Sequence, residues 1–171
     1  RDLYWIGTTD PLTAVKLRIN GTGLKSGQHI RHLTAEVGGG IGYAGPHFVH
    51  TFDLLLPPEK YFAEHPEYYA LIDGKRTAKH LYSQPCLSNP DVLRIMVEGI
   101  RSWLRDNPEA RLVSVSQNDS FVIGSYCTCP ACRAVNEEEG APSGSLIRFV
   151  NAVAEALEPE FPEVTFDTLA Y

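Results

Sequence analysis

A β-prone segment, a polar triplet and a cysteine-rich loop follow one another in the stretch RLVSVSQNDSFVIGSYCTCPAC, from Arg111 to Cys132. The β-prone segment runs from Leu112 to Ser116 and ends on Gln117, Asn118 and Asp119. In parallel α/β proteins, functional groups collect where strands end, because the loops there vary while the strands stay packed. The order of these three features therefore predicts a functional site at the end of this strand.

Two amphipathic helices are predicted on either side of this stretch. Ser88 or Asn89 caps the first, with Pro90 in its first turn, and Ser143 or Ser145 caps the second. Apolar residues recur at helical spacing in both, namely Val92, Ile95, Met96, Ile100, Trp103 and Leu104 in the first and Leu146, Phe149, Val150, Val153 and Leu157 in the second. Each helix is long enough to connect two parallel strands.

Shorter elements complete the predicted order. The predicted strands are Leu3–Ile6, the segment HFVHTFDLLL from His47 and Val164–Tyr171, with a hairpin around Asp73-Gly74, helices after Asp10-Pro11 and Pro57-Pro58, and a glycine-rich loop over residues 21–45. The Asp-Gly pair between two β-capable arms is the signature of a two-residue hairpin turn.

The resulting order, β-α-β-hairpin-α-β-α-β, predicts an α/β fold with parallel strands. Four such βα units form about half of a TIM-like (β/α)8 barrel, with the small hairpin and the long cysteine-containing βα loop as insertions. An apolar strand at the end of the chain would leave an edge open to pairing. We therefore expect residues 1–171 to be a single domain and a fragment of a larger barrel. A complete, small, open α/β sheet is the alternative.

Composition and charge exclude several classes of protein. The chain has 171 residues, 43% hydrophobic and 21% charged, as expected of a globular domain with a sizeable core. Its net charge is −6 and it has no cluster of Lys and Arg, which argues against a nucleic-acid partner. No apolar run reaches the roughly 18 residues that a membrane-spanning helix needs, so no membrane partner is expected.

Four cysteines give the sharpest chemical signal in the sequence. Cys127, Cys129 and Cys132 form a C-x-C-P-x-C motif, and Cys86 is the only other cysteine. Four thiolates close a tetrahedral shell around Zn²⁺ without a position for water, so this set predicts a structural zinc that anchors the long loop after Asp119. Two disulfides, in an oxidising compartment, or four free thiols remain as alternatives.

Five runs of residues, taken together, resemble one protein family. They are HTFDLLLPPEKYFAEHPEYYALIDGKR (His50 to Arg76), CLSNPDV (Cys86 to Val92), VSVSQND (Val113 to Asp119), CTCPACR (Cys127 to Arg133) and NEEEGAPSGSLIRFVNAVAE (Asn136 to Glu155). They span about two thirds of the chain and resemble the family catalogued as domain of unknown function 4838. That family is grouped with TIM-barrel glycoside hydrolases and occurs in bacterial polysaccharide-degrading contexts. The resemblance implies a barrel, a carbohydrate ligand and a secreted or periplasmic location.

The resemblance also implies roles at the mouth of the predicted barrel. Many retaining barrel glycosidases carry an Asn-Glu pair at a strand end, and Asn118-Asp119 is similar to it, with Asp119 as proton donor. Asp in place of Glu shortens the reach by one methylene. Glycoside hydrolysis needs a second carboxylate about 5 to 9 Å away, for which Glu138, within the run Glu137–Glu139, is the candidate. A carboxylate on a strand beyond Tyr171 is the alternative. The alternative is that Asn118 and Asp119 form a solvated turn or a helix cap.

Three residues besides Asn118 are predicted to bind substrate. His50 lies in a β-prone segment, and a neutral imidazole there would hydrogen-bond a sugar hydroxyl or orient a carboxylate. Tyr126 and Tyr171 offer aromatic faces for stacking on a sugar ring, with packing in the core or an interface as the alternative.

Two function classes follow from these residues. The first is a glycoside hydrolase that acts on a polysaccharide or glycan. The second is a non-catalytic carbohydrate-binding or scaffold domain within a larger multidomain enzyme. Redox work by the cysteines is a third class, and we expect it least because no C-x-x-C stands at the start of a predicted helix.

Overall fold

The structure, a computed structural model, describes residues 42–79, 83–120 and 124–169. Its elements in chain order are β1 (Tyr43–Ala44), α1 (Phe52–Leu55), α2 (Pro58–Tyr61), a 3-10 helix (Pro66–Tyr68), β2 (Leu71–Ile72), β3 (Lys75–Arg76), α3 (Pro90–Asp106), β4 (Leu112–Ser114), α4 (Pro130–Glu139), α5 (Gly144–Leu157) and β5 (Thr165–Asp167). Within these ranges, no helix combines the length and the apolar character that crossing a membrane requires.

Three of the strands form a parallel sheet with β4 between β1 and β5. Ala44 lies opposite Val113, which in turn lies opposite Phe166. The predicted α/β class with parallel strands is thus confirmed. Within the described residues the sheet has three strands and does not close into a barrel. Because the strands are parallel, all three end at one edge, which we call the carboxyl edge.

The two long helices, α3 and α5, pack against each other, and each also contacts one outer strand of the sheet. α3 begins as predicted, because the Asn89 side chain accepts hydrogen bonds from the N–H groups of Asp91 and Val92 while Pro90 occupies the first helical position. α5 follows Ser143 and ends at Leu157. Fully buried side chains of the core include Phe52, Leu56, Met96, Ile100, Val113, Val115, Val153 and Leu157.

The predicted strand in HFVHTFDLLL is wrong, because Phe52–Leu55 forms the short helix α1. His50 has a φ of +53°, a left-handed conformation that is incompatible with an extended strand. Phe52 and Leu55 are both buried, and their i, i+3 spacing fits one face of a helix. A short apolar run of this kind does not distinguish a strand from a buried helix by periodicity alone.

The hairpin predicted at Asp73-Gly74 is confirmed. The two turn residues have φ values of +48° and +74°, as a type I′ turn requires, and Ile72 pairs with Lys75 across the turn. Each strand has two residues, which is shorter than the predicted arms. The hairpin places Arg76 near the cysteines described below.

Other predicted boundaries need correction. The loop predicted between Asp119 and Gly144 contains the ten-residue helix α4. β1 lies inside the segment predicted as a glycine-rich loop, because its backbone pairs with the central strand β4. The predicted strand Leu3–Ile6 and the helix after Asp10-Pro11 lie outside the described residues. The final strand is confirmed, with the shorter bounds of β5.

Candidate functional site

Polar residues meet at the carboxyl edge of the sheet. The Tyr43 hydroxyl donates a 2.5 Å hydrogen bond to Oδ2 of Asp167, the last residue of β5. The N–H of Val115 donates to the carbonyl oxygen of Asp167 at 2.9 Å, which continues the strand pairing past β4. Sequence reasoning missed Asp167, although a carboxylate at a strand end is the same signal that identified Asp119. The edge therefore carries a second strand-end carboxylate.

Thr51 joins the segment after β1 to the extension of β4. Its Oγ1 donates to the carbonyl oxygen of Ser114 at 2.9 Å and accepts from the N–H of Ser116 at 2.9 Å. The N–H groups of Thr51 and Phe52 both donate to the carbonyl oxygen of Ser116 at 3.1 Å. The hydroxyls of Ser114 and Ser116 are also hydrogen-bonded to each other. Buried bonds of this kind fix the backbone that leads to Asn118.

Gln117, Asn118 and Asp119, which we call the polar tip, follow this extension of β4. Asn118 is buried, and its side-chain oxygen accepts from the N–H of Asp53 at 2.9 Å. Its side-chain nitrogen donates to Oδ1 of Asp53 at 2.7 Å and to the carbonyl oxygen of Ser83 at 3.3 Å. The amide of Asn118 is therefore engaged by the protein, as expected of a buried polar group.

The Gln84 side chain holds the backbone of Asn118 from the other side. Its Oε1 accepts from the N–H of Asn118 at 2.8 Å, and its Nε2 donates to the carbonyl oxygen of Asn118 at 2.9 Å. Its own N–H donates to the carbonyl oxygen of Ser125, just before the cysteine motif. Gln84 therefore links the polar tip to the cysteine-containing loop.

His50 lies beside the polar tip. Its Nδ1 lies 3.0 Å from the carbonyl oxygen of Gln117. Because a carbonyl oxygen only accepts, Nδ1 must carry the proton, and in the neutral ring Nε2 is then the acceptor. The structure thus brings His50, Asn118 and Asp53 together, and it holds His50 in a left-handed conformation that is uncommon outside glycine.

The two predicted catalytic carboxylates have different surroundings. Asp119 is exposed directly after the buried Asn118. Glu138 lies on α4, where Arg148 binds it at 2.9 Å, and the hydrogen bond and positive charge of Arg148 lower the pKa of this carboxyl. Arg148 also binds Glu139 at 2.5 Å. Glu138 is therefore ionised near neutral pH. Tyr171, a predicted substrate ligand, lies outside the described residues.

Cys86, Cys127, Cys129 and Cys132, which we call the cysteine cluster, come together in a second buried core. All four sulfur atoms lie within 4.8 Å of one another, and all four thiols are free. Sγ of Cys86 is 3.6 Å from that of Cys129 and 3.9 Å from that of Cys132. The cluster is therefore able to hold a metal ion.

Local structure explains how these four residues converge. Cys129 is the N-cap of α4, and Cys132 lies in its first turn. The loop before the helix pairs with the hairpin, since the N–H of Thr128 donates to the carbonyl oxygen of Leu71 at 2.9 Å. Cys86 follows a bridge that places its segment beside the same hairpin, with its N–H donating to the carbonyl oxygen of Tyr68 at 2.8 Å.

Cys127 is the sulfur with the strongest support for negative charge. Its neighbours Cys132 and Cys86 hydrogen-bond to it, and these contacts lower the pKa of the Cys127 thiol. The N–H of Leu71 also donates to its Sγ at 3.3 Å, and Nη1 of Arg76 lies 3.6 Å from that atom. Donors and a guanidinium around one sulfur favour the thiolate, the form that binds metals.

The expectation that no C-x-x-C begins a helix is wrong. Cys129-Pro-Ala-Cys132 starts α4, a position that lowers a thiol pKa in redox enzymes. The motif was obscured because the loop was predicted to lack a helix. Cys129 and Cys132 are only 6% and 1% exposed, however, whereas reactive thiols are accessible to their partners. Burial therefore disfavours redox exchange at this motif.

An open cleft of about 480 Å³ lies beside the cysteine cluster. Its lining includes the exposed residues Tyr126, Arg133 and Glu137. Tyr126 also borders a small cavity of about 30 Å³ that Gln117 of the polar tip helps to line. The cleft, which we call the Tyr126 cleft, therefore adjoins the polar tip through Tyr126.

Comparison with known proteins places the chain in a family. No curated protein and no solved structure matches it. The model of the family described as "Domain of unknown function (DUF4838)" matches residues 13–171, which include the carboxyl edge, the hairpin and the cysteine cluster. The match covers well over half of the 171 residues and agrees with the resemblance noted from the five sequence runs. The chain therefore belongs to the family of domains of unknown function DUF4838.

Proposed function

We propose that this chain is part of a TIM-like barrel and acts as a glycoside hydrolase on a polysaccharide or glycan. The observation that supports this most directly is the exposed Asp119, placed directly after the buried and fully hydrogen-bonded Asn118. A catalytic carboxylate must be held within a fraction of an ångström, and a rigid neighbour serves that purpose. The three parallel strands supply the kind of edge where barrel enzymes place such groups.

In this proposal Asp119 donates the proton to the leaving oxygen. Asn118 orients the backbone before Asp119, since its own amide is engaged by Asp53 and Ser83. His50 offers Nε2 as an acceptor for a sugar hydroxyl. The second carboxylate is either Glu138, as predicted, or a strand-end carboxylate at the same edge.

Asp167 is that strand-end carboxylate. Its Oδ2 accepts a 2.5 Å hydrogen bond from the Tyr43 hydroxyl, which fixes the orientation of the carboxyl group. Asp119 follows the extension of β4 and Asp167 ends the neighbouring strand β5, whereas Glu138 lies on a helix and is held by Arg148. This placement makes Asp167 the stronger candidate for the second carboxylate.

Replacement of Asp119 tests the hydrolase. Asp119→Asn removes the acidic proton and keeps the size of the side chain, so turnover should fall by at least about a hundredfold while glycan affinity persists. Asp106→Asn, at another exposed aspartate, is the matched control and should leave turnover unchanged. Release of reducing ends from a broad glycan panel, with binding followed by calorimetry, measures both. Turnover by the Asp119→Asn protein at the wild-type rate would overturn the proposal.

A non-catalytic carbohydrate-binding domain is the second candidate. The observation that favours it is that Asn118 and Glu138, two of the predicted site residues, already bind partners within the protein. Absence of turnover on the whole panel, together with binding that Asp119→Asn does not weaken, would establish this second function. A secreted or periplasmic location fits either function.

We also propose that the cysteine cluster binds one structural Zn²⁺. With Zn–S bonds of about 2.3 Å, a tetrahedral site separates its sulfur atoms by about 3.8 Å. Sγ of Cys86 lies 3.6 and 3.9 Å from those of Cys129 and Cys132, which fits this geometry, whereas a disulfide needs sulfur atoms at about 2.05 Å. Four thiolates fill the coordination shell, so the ion would stabilise the loop and take no part in hydrolysis. Arg76 would offset part of the negative charge of the site.

Metal analysis of the purified protein tests the zinc. We expect one zinc per chain and anomalous scattering at the zinc edge centred among the four sulfur atoms. A protein purified without chelators that contains no metal, with its thiols free or paired as disulfides, would contradict this assignment.

A further inference from the structure

The Tyr126 cleft has the features of a ligand site that the hydrolase proposal does not use. Its volume of about 480 Å³ falls within the range of small-molecule pockets, roughly 300 to 1,000 Å³. We propose that it is a binding subsite for a neutral glycan, next to the polar tip. This inference rests on the proposed carbohydrate function and adds the class of sugar and the residues that select it.

Tyr126 provides the apolar platform of the subsite. It is 38% exposed and one of the few large apolar side chains on the described surface, together with Leu54 and Ile147. An exposed aromatic face suits the C–H groups of a sugar ring, because it is apolar and carries partial negative charge. Tyr126 also borders the small cavity that Gln117 helps to line, so the subsite would lie beside the polar tip.

Arg133 and Glu137 provide polar groups for sugar hydroxyls. They are four residues apart on α4, a spacing at which opposite charges usually pair. Within the described part of the chain, no ion pair joins them, and the Arg133 guanidinium makes only a long 3.5 Å hydrogen bond to the carbonyl oxygen of Thr128.

The other arginines on the described helices behave differently. Each of them binds a carboxylate, namely Arg94, Arg101, Arg105 and Arg148. The neighbours of Glu137 in the acidic run, Glu138 and Glu139, are also bound by Arg148. Arg133 and Glu137 are thus the charged pair on these helices that lines a cleft and is not neutralised by a partner of opposite charge.

The charges in the cleft favour a neutral sugar over an acidic one. A sugar hydroxyl both donates and accepts, so one ring can accept from Arg133 and donate to Glu137. A uronic acid would also meet Arg133, but its carboxylate would then lie near the carboxylate of Glu137, which lines the same cleft. Repulsion between like charges opposes that arrangement.

Calorimetric titration of the full chain tests this subsite, with cellotetraose and xylotetraose as neutral probes and tetragalacturonate as the acidic probe. The Asp119→Asn background prevents turnover during the titration. We expect a neutral probe to bind at least about tenfold more tightly than tetragalacturonate. Tyr126→Ala should weaken the neutral probe by about tenfold, whereas Tyr126→Phe, which keeps the ring, should stay within about twofold.

The role of Arg133 is tested by comparing Arg133→Met with Arg105→Met. Arg133→Met should weaken neutral-probe binding by about tenfold or more, because it removes charged hydrogen-bond donors. Arg105→Met removes a helix arginine that already binds Glu160 and should leave binding unchanged. Unchanged melting temperatures and metal content would show that each exposed substitution leaves the fold intact.

The outcomes separate this inference from the hydrolase proposal. Turnover that depends on Asp119, combined with unchanged affinity in Tyr126→Ala and Arg133→Met, would overturn the subsite and leave the hydrolase standing. Tighter binding of tetragalacturonate would overturn the assignment to neutral glycans. Failure of all probes to bind, with no turnover on the wider panel, would overturn both proposals.

Discussion

The polar tip and the cysteine cluster are both buried junctions between distant parts of the chain, but they are stabilised differently. At the tip, every hydrogen-bonding group of Asn118 has a protein partner within 3.3 Å. In the cysteine cluster, four sulfur atoms lie within 4.8 Å of one another. An amide both donates and accepts hydrogen bonds, so side-chain amides and backbone groups satisfy one another. Thiolates only accept hydrogen bonds, so a cluster of them needs a cation to balance its negative charge.

This difference implies that the two junctions fail for different reasons. The tip depends on the geometry of individual hydrogen bonds, each of which contributes about 1 kcal/mol. With the proposed zinc bound, the cluster would depend on a single ion whose binding energy is shared by four ligands, so the loss of any one ligand would affect the whole site. Substitutions at each junction should therefore differ in size and in their dependence on metal.

The largest effect is expected at the cysteine cluster. Cys86→Ser removes one of the four proposed zinc ligands while nearly keeping the volume of the side chain. Because metal binding contributes directly to folding, the free energy of unfolding should fall by about 5 kcal/mol or more. Urea denaturation with parallel zinc analysis measures this loss. A strong chelator should destabilise the wild-type protein to a similar extent and have no effect on the variant; an equal response of both proteins would refute the shared ion.

A smaller effect, independent of metal, is expected at the polar tip. Asn118→Ala leaves the N–H of Asp53 and the carbonyl oxygen of Ser83 without their partners, so the free energy of unfolding should fall by about 3 kcal/mol. Asn89→Ala, which removes only a helix cap, should cost about 1 kcal/mol. Urea denaturation compares the two variants, and zinc content should remain at the wild-type level in both. Loss of zinc from Asn118→Ala would show that the junctions are not separable.

Substitutions at Thr51 separate the contributions of hydrogen bonding and packing to stability beside the polar tip. Thr51→Val removes the hydroxyl that bonds to Ser114 and Ser116, so the free energy of unfolding should fall by about 2 kcal/mol. Thr51→Ser keeps the hydroxyl and deletes a buried methyl, which should cost about 1 kcal/mol. The order of the two variants in thermal or urea unfolding is the test. A reversed order would mean that packing, and not hydrogen bonding, dominates at this position.

The smallest effect is expected at a surface ion pair away from both junctions. Hydrogen bonds and positive charge from Arg101, and then from Arg105, lower the pKa of Glu160 below its ordinary value of 4.5. A lowered pKa stabilises the fold above the unfolded-state pKa and loses that effect as the pH falls through the folded-state value. The difference in melting temperature between wild type and Glu160→Gln should be small at pH 7 and should decline as the pH falls below 4.5 through the lowered pKa of Glu160. High salt should also reduce it.

Much of the framework follows from local sequence signals. Asn89 with Pro90 defined the start of α3, Asp73-Gly74 defined the hairpin, and the apolar spacing after Ser143 defined α5. These signals act over a few residues and survive in the folded protein. The approach of Cys86 to the other cysteines was also predicted, because a four-ligand site requires it.

The remaining features depend on contacts that the sequence does not display. α1 replaces a predicted strand because Thr51 and Phe52 bond to Ser116 far along the chain. β1 exists only because β4 pairs with it. The occupation of Asn118 by Asp53, 65 positions away, is equally non-local. These hydrogen bonds join residues that are far apart in sequence, and local sequence patterns do not predict them.

Gln84 would couple the proposed zinc site to the proposed sugar site. Its side chain holds both backbone groups of Asn118, its main chain bonds to Ser125, and Cys86 follows two positions later. An ion that orders Cys86 would thus preorganise the residue before Asp119. By reciprocity, a sugar that prefers the ordered tip must raise the affinity for zinc by the same factor as zinc raises the affinity for the sugar. In such a domain, zinc would act as an allosteric effector of glycan binding.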